Sequence, residues 1–129
     1  MSLKGKGANA ERELIHLFWS NGWVSVRVAG SGSMQYPSPD VLASNGKRIL
    51  AIECKTSKND SKYIDKAQID DLKIFASDFK AEPWVGIRFA RTDWYFLKPE
   101  EAEITPKNVL ITKALAELKG KSFMRLLEL

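Results

Sequence analysis

Apolar residues recur at helical spacing between residues 9 and 21, where Ala10, Leu14, Leu17 and Phe18 mark one face and Asn21-Gly22 supplies a C-terminal stop. The pattern predicts a first helix. At about 100° per residue Glu11 falls on the apolar side between Leu14 and Phe18, whereas Arg12, Glu13 and His16 point away. A carboxylate in apolar surroundings is costly unless something satisfies it, so Glu11 stands out; His16 reads as an exposed bystander. Trp23-Val24-Ser25-Val26-Arg27-Val28 then alternates as a strand, with the valines on one face and Ser25 and Arg27 on the other. Residues 29–39 are rich in glycine, serine and proline and predict a loop that runs directly into Asp40, placed to act as a lid or a backbone-contacting arm.

Asn45-Gly46 lies between the apolar stretches Val41-Leu42-Ala43 and Ile49-Leu50-Ala51-Ile52, the strongest short-range signal of a tight antiparallel hairpin. With those two residues at the tip, Asp40 faces Ala51, and Glu53 and Lys55 follow at period two on the same side of the ribbon. Asp40 and Glu53 become diagonal neighbours with Cα atoms about 7–8 Å apart. Beyond a polar stretch at residues 56–62, Ile69, Leu72, Phe75, Ala76 and Phe79 form one stripe of a second helix from about Lys66 to Phe79. Two further strands are expected at residues 84–90 and 93–97, and short helices over residues 114–129. Helix, three strands, helix, two strands and a tail predict an α/β chain with a mixed five-stranded sheet flanked by helices.

Composition narrows the setting. A chain of 129 residues with 44% hydrophobic content fits one domain over residues 1–129. No apolar run approaches the roughly 20 residues of a membrane span and the first residues lack a signal-like apolar stretch, so no membrane association and a cytoplasmic location are expected. The single cysteine, Cys54, cannot form an internal disulfide and should be a buried, inert thiol; one histidine and one cysteine leave no zinc set. Any metal must be a hard cation held by oxygen. The net charge of +4 is modest, but Lys4, Lys6 and Arg12 cluster early and Lys55, Lys58 and Lys62 follow the hairpin, while acids gather at residues 65–78 and 100–103. A basic half beside an acidic half is the footprint of a one-sided nucleic-acid surface.

The chemistry follows from the carboxylates. Mg2+ takes near-octahedral oxygen ligands, usually one or two protein carboxylates with water and substrate phosphate. Asp40 and Glu53 supply these, the backbone carbonyl of Cys54 can add another oxygen, and Glu11 is a third acid able to ligand the ion or accept a proton. Such an ion polarises a phosphodiester and lowers the pKa of water. Lys55, on the same face, can neutralise developing charge or orient the nucleophile. Taken alone Glu-x-Lys carries almost no information; the plain alternative is a set of solvated hairpin residues, and the joint spacing argues against it.

The order Glu11, Pro39-Asp40, Glu53-Cys54-Lys55 resembles the PD-(D/E)xK nuclease superfamily. More narrowly, Lys4-Gly5-Lys6-Gly7 with Ala10-Glu11-Arg12-Glu13-Leu14, Val26-Arg27-Val28-Ala29-Gly30-Ser31-Gly32-Ser33, Pro37-Ser38-Pro39-Asp40 and Ile52-Glu53-Cys54-Lys55 look like archaeal Holliday-junction resolvases. The resemblance implies a restriction-endonuclease-like core and a homodimeric, magnesium-dependent endonuclease, with Mn2+ able to substitute, that nicks opposing strands of a four-way DNA junction. It implies catalytic and metal positions at Glu11, Asp40, Glu53 and Lys55. DNA-contacting positions fall on Arg12, Arg27 and Arg88, with Ser31 and Ser33 matching a hydroxyl-bearing loop that touches junction backbone. An aromatic pair at the dimer or junction interface falls on Phe75 and Phe79. By charge, Lys4, Lys6, Lys58 and Lys62 join the DNA surface. The resemblance also implies docking on a sliding clamp through a short amphipathic C-terminus, here residues 122–129, against the simpler reading of a helix packed on its own domain. Rival functions are a repair or restriction endonuclease of the same superfamily and a non-catalytic DNA-binding protein.

Overall fold

The computed structural model describes residues 3–30 and 35–129, with backbone only for residues 3–6. Helix α1 (Leu3–Ser20) starts earlier than the apolar spacing predicts, running through Gly5 and Gly7 despite their poor helix propensity. Its C-terminus closes where expected: Gly22 adopts φ +80, its N–H reaches the Trp19 carbonyl, and the Trp23 N–H reaches that of Phe18. These are the two bonds of a Schellman motif, and the accompanying apolar contact is the Phe18–Trp23 ring pair, 5.8 Å between centroids.

Strands β1 (Val24–Arg27), β2 (Val41–Ser44), β3 (Ile49–Ser57), β5 (Glu82–Phe89) and β6 (Tyr95–Leu97) form a five-stranded sheet in the order β1-β2-β3-β5-β6. It is mixed: β3 and β5 run parallel through the crossover helix α2 (Lys66–Phe79), and the other pairs are antiparallel. A second, three-stranded sheet of β4 (Ser61–Asp65), β8 (Asn108–Thr112) and β7 (Glu103–Ile104) was not anticipated from the sequence. Helices α3 (Lys113–Lys119) and α4 (Phe123–Glu128) end the chain, each capped by a hydroxyl, Thr112 accepting from the Leu115 N–H and Ser122 from the Arg125 N–H.

The hairpin register differs from expectation. Ser44 faces Ile49 and Val41 faces Ile52, so the tip is Gly46-Lys47, one residue further along than Asn45-Gly46. Gly46 takes φ +91 while Lys47 stays at negative φ, the pattern of a type II′ turn, and the Asn45 Oδ1 accepts from the Lys47 and Arg48 N–H groups at 2.9 and 2.7 Å. The asparagine therefore frames the turn instead of occupying its centre. Shifting the tip by one residue moves the pairing by two, and because side chains alternate with period two every residue keeps its face.

Alternation along β3 separates two cores. Leu50 and Ile52 pack with Ala10, Leu14 and Phe18 of α1 and with Leu126 of α4 on one side of the sheet. Ala51, Val85 and Ile87 pack with Ile69, Leu72 and Ala76 of α2 and with Val109 and Ile111 of the second sheet on the other. Glu53 and Lys55 share the phase of Ala51, so they belong to the α2 side.

Candidate active site

The β2–β3 ladder ends at Asp40. Its N–H donates to the Ile52 carbonyl at 3.0 Å, and its carboxylate Oδ2 accepts from the Cys54 N–H at 2.8 Å, taking the place of a strand carbonyl. Pro39, which has no N–H, precedes it and cannot continue the pairing. The consequence is that the Asp40 carboxyl group lies across β3 and hydrogen-bonds the carboxyl group of Glu53. The two acids are thus in direct contact, closer than the diagonal placement the sequence predicts.

Two carboxylates in contact resist joint ionisation. Burial first, then the hydrogen bond to Asp40 and its charge, push Glu53 up to about 9, with Lys55 opposing and Glu11 adding to the effect. Glu53 therefore favours its protonated form at neutral pH. Glu11 is raised too, by burial and by Asp40, and is held back by Arg27. Its inward turn, inferred from the helix pattern, is borne out: the Glu11 side chain is only 15% exposed, and the group that satisfies it is the Arg27 guanidinium, whose Nε donates to Oε1 at 3.1 Å. Cys54 packs partly against the α1-side core, and burial with the surrounding acids raises its thiol well above the ordinary value, matching an inert role.

Among the described residues no three acid, histidine or cysteine side chains stand close enough to hold one ion. Asp40 and Glu53 are in contact, while Glu11, close enough to act on both through its charge, is engaged by Arg27. The donor chemistry still fits a hard cation, because Mg2+ needs one or two carboxylates and keeps water for the rest of its shell. Lys55 is on the same face as Glu53, and its Nζ donates to Gln68 Oε1 at 2.9 Å.

Basic residues meet further along β3. A cleft of about 720 Å3 is lined by Lys58, Lys62, Arg88 and Arg91 together with Asn9, Thr56 and other polar groups. Thr56, which follows Lys55 on β3 but faces the other side of the strand, lines it, and Lys55 does not. Lys58, Lys62 and Arg88 were expected at a DNA surface; Arg91, at φ +64 in the turn after β5, was not. Arg88 is tied to Glu13 and lies 5.2 Å over the Trp94 ring. Arg12 is exposed and touches Asn9, and Arg27 is committed to Glu11. Ser31 and Ser33 lie outside the described residues, as do the side chains of Lys4 and Lys6.

Comparison with known proteins decides the family. The model described as archaeal Holliday junction resolvase (Hjc) matches residues 2–128. The chain belongs to the archaeal Holliday junction resolvase family. Within it, the crossover junction endodeoxyribonuclease Hjc of Archaeoglobus fulgidus is 37% identical over 128 residues, 94% of each chain. Hje of Saccharolobus solfataricus is 37% identical over 100 residues, covering 75% of this chain and 74% of that one. The solved structure of the Archaeoglobus fulgidus resolvase superimposes with a TM-score of 0.86 at 34% identity, covering 93% of this chain and 98% of the other. The mixed five-stranded sheet with flanking helices is thus the fold of this resolvase.

Two other expectations meet the structure here. Phe75 and Phe79 do stack, with centroids 5.0 Å apart, and Phe79 is 48% exposed. The C-terminal tail packs inward: Leu126 is fully buried and Phe123 lies against Phe18 and Phe96, so these side chains serve the chain's own core. Among the described residues no helix is long and apolar enough to cross a membrane.

Proposed function

We propose that this chain is a structure-specific endonuclease that resolves four-way DNA junctions by hydrolysing phosphodiesters in opposing strands. The observation that carries the chemistry is the contact between the Asp40 and Glu53 carboxyl groups with Lys55 two residues along the same strand face. Asp40, Glu53 and the Cys54 carbonyl would hold one Mg2+, with Mn2+ able to replace it and Glu11 joining once released from Arg27. When bound, the ion supplies polarisation of the phosphodiester and acidification of water. Glu53 would give up its proton when the ion binds, and Lys55 sets a positive charge beside the phosphate to offset the charge that develops as the bond breaks.

The cleft carrying Lys58, Lys62, Arg88 and Arg91 grips the backbone of one arm, and Arg12 extends that surface along α1. These contacts read phosphate position and not base identity, so recognition is by junction shape. Paired cuts need paired sites. Val24 and Val26, each more than half exposed, line with Leu42, Ile49 and Phe79 an apolar groove of about 200 Å3 on the α2 side of the sheet edge. A second copy of the chain covers that strip, joining through β1, β2 and the α2 aromatic pair, because two-fold symmetry sets two identical sites at related strands. Phe79→Glu should convert a dimer to a monomer in light scattering; an unchanged mass moves the interface elsewhere.

Incubation of a labelled four-way junction and a matched linear duplex with protein and Mg2+ tests the reading. Symmetric paired nicks in the junction alone are expected. Cutting of the linear duplex favours a general repair or restriction nuclease, and tight binding with no cutting in Mg2+ or Mn2+ leaves a DNA-binding protein.

A further inference from the structure

Lys55 is held by a neutral partner. Among the described residues the ion pairs are Arg27–Glu11, Arg48–Glu82 and Arg88–Glu13, and none involves Lys55. Its ammonium group donates instead to the side-chain amide of Gln68, 2.9 Å away and 13 residues later in the chain. Because lysine offers only donors, the amide must present its oxygen. Both ends of this contact are anchored. Lys55 is on the central strand β3, paired with Ile87 of β5, and Gln68 is in the first turn of α2 immediately before Ile69, which is 2% exposed.

We infer that Gln68 is a positioning residue for Lys55: its carbonyl holds the ammonium group at the cut phosphodiester, an assignment that rests on the nuclease reading above. A lysine side chain carries about 2 kcal/mol of rotamer entropy and wanders unless something fixes it. A carboxylate would fix it but neutralise its charge. The amide oxygen of Gln68 accepts a hydrogen bond from one of the three ammonium N–H groups and leaves the full charge and the other two donors for an oxygen that turns negative during hydrolysis. Preorganised donors of that kind act most when they need not rearrange at the moment of reaction.

The test uses Gln68→Met, which keeps length and volume but lacks the oxygen, and Gln68→Glu, which restores an acceptor. In single-turnover nicking of the junction, Gln68→Met should be slower by roughly tenfold with junction Kd changed by less than about twofold, and Gln68→Glu, which holds the ammonium group but offsets its charge, should be slow as well. A direct readout needs neither metal nor DNA. In the free protein the hydrogen-bonded Lys55 ammonium should give a slowly exchanging 15N signal that Gln68→Met abolishes and Gln68→Glu retains. A Gln68→Met protein that nicks at the wild-type rate, or keeps the signal, overturns the inference, as does a Gln68→Glu protein that loses the signal or nicks at the wild-type rate. Wild-type protein that never nicks a junction overturns the nuclease reading itself, a distinct result.

Discussion

Two acids on neighbouring strands of one sheet stand in opposite company. Glu82, at the start of β5, is gripped by Arg48 through both oxygens at 2.8 Å; hydrogen bonding to that guanidinium lowers its pKa. Glu53, on β3, meets another carboxyl group and is pushed up to about 9. Arg48 also donates to the Leu126 carbonyl at 2.8 Å and lies 5.5 Å over the Trp23 ring, so one side chain ties the hairpin, β5 and α4 together. The first acid is spent on holding the fold. The second is left with an electrostatic deficit that only a cation or a proton can fill, and this difference separates a structural ion pair from the pair proposed to hold the metal.

Removing the deficit should sharpen the contrast most. Asp40→Asn and Glu53→Gln should each lower junction nicking by on the order of 10^3-fold or more, about 4 kcal/mol of barrier, while junction affinity stays within a few-fold. Retention of full activity by Asp40→Asn would remove it from the ion site. The same Glu53→Gln change should stabilise the metal-free fold. A carboxyl group with a raised folded-state pKa contributes stability that is complete below its ordinary value near 4.5 and fades as pH rises toward about 9. The glutamine escapes that loss, so its advantage grows across this window to about 2 kcal/mol near pH 8. Denaturant midpoints in chelator between about pH 5 and about pH 9 measure it. A pH-independent difference would mean the two carboxyl groups are not coupled.

The other half of the comparison breaks at Arg48. Arg48→Ala leaves Glu82 without its cation, the Leu126 carbonyl without a donor and the Trp23 face bare, which should cost about 2 kcal/mol. For a chain of this size that corresponds to a fall of roughly 6–10 °C in Tm. Nicking below the new midpoint should be unchanged, since Arg48 is at the far end of the hairpin from Asp40. A loss of activity without a loss of Tm would show that this network reaches the site.

How much of this could be read from the chain alone depends on sequence distance. Asp40, Glu53 and Lys55 belong to one hairpin, and their common face survives a misplaced turn because a shift of two residues preserves strand parity. The second sheet was missed: β7 spans only two residues, β4 carries Lys62 and Tyr63 amid polar neighbours, and the apolar alternation of β8 runs straight into α3. The inward turn of Glu11 was legible from helix periodicity. Its partner was not, because Arg27 lies 16 residues away on a strand whose valine face, and not its Arg27 face, turns out to meet solvent. Gln68 and Arg91 left no local signal, since only the α2 crossover and the turn after β5 bring them to Lys55 and to the basic cleft.

The smallest effect discriminates between two roles for Arg27. As a DNA contact it should release a counterion from the junction, so Arg27→Ala should flatten the log–log salt dependence of binding by about one. As the partner of Glu11 it already spends its charge: its side chain is 31% exposed, Glu11 only 15%, and the pair must open before a phosphate can take the guanidinium. Opening would be less costly with the proposed ion in place, because a cation beside Asp40 would draw Glu11 away from Arg27. The two roles then become sequential, and the slope change should be present with Mg2+ or Ca2+ and shrink in chelator. A slope unchanged in both conditions, with Tm lowered, would leave Arg27 as the clamp on Glu11 alone.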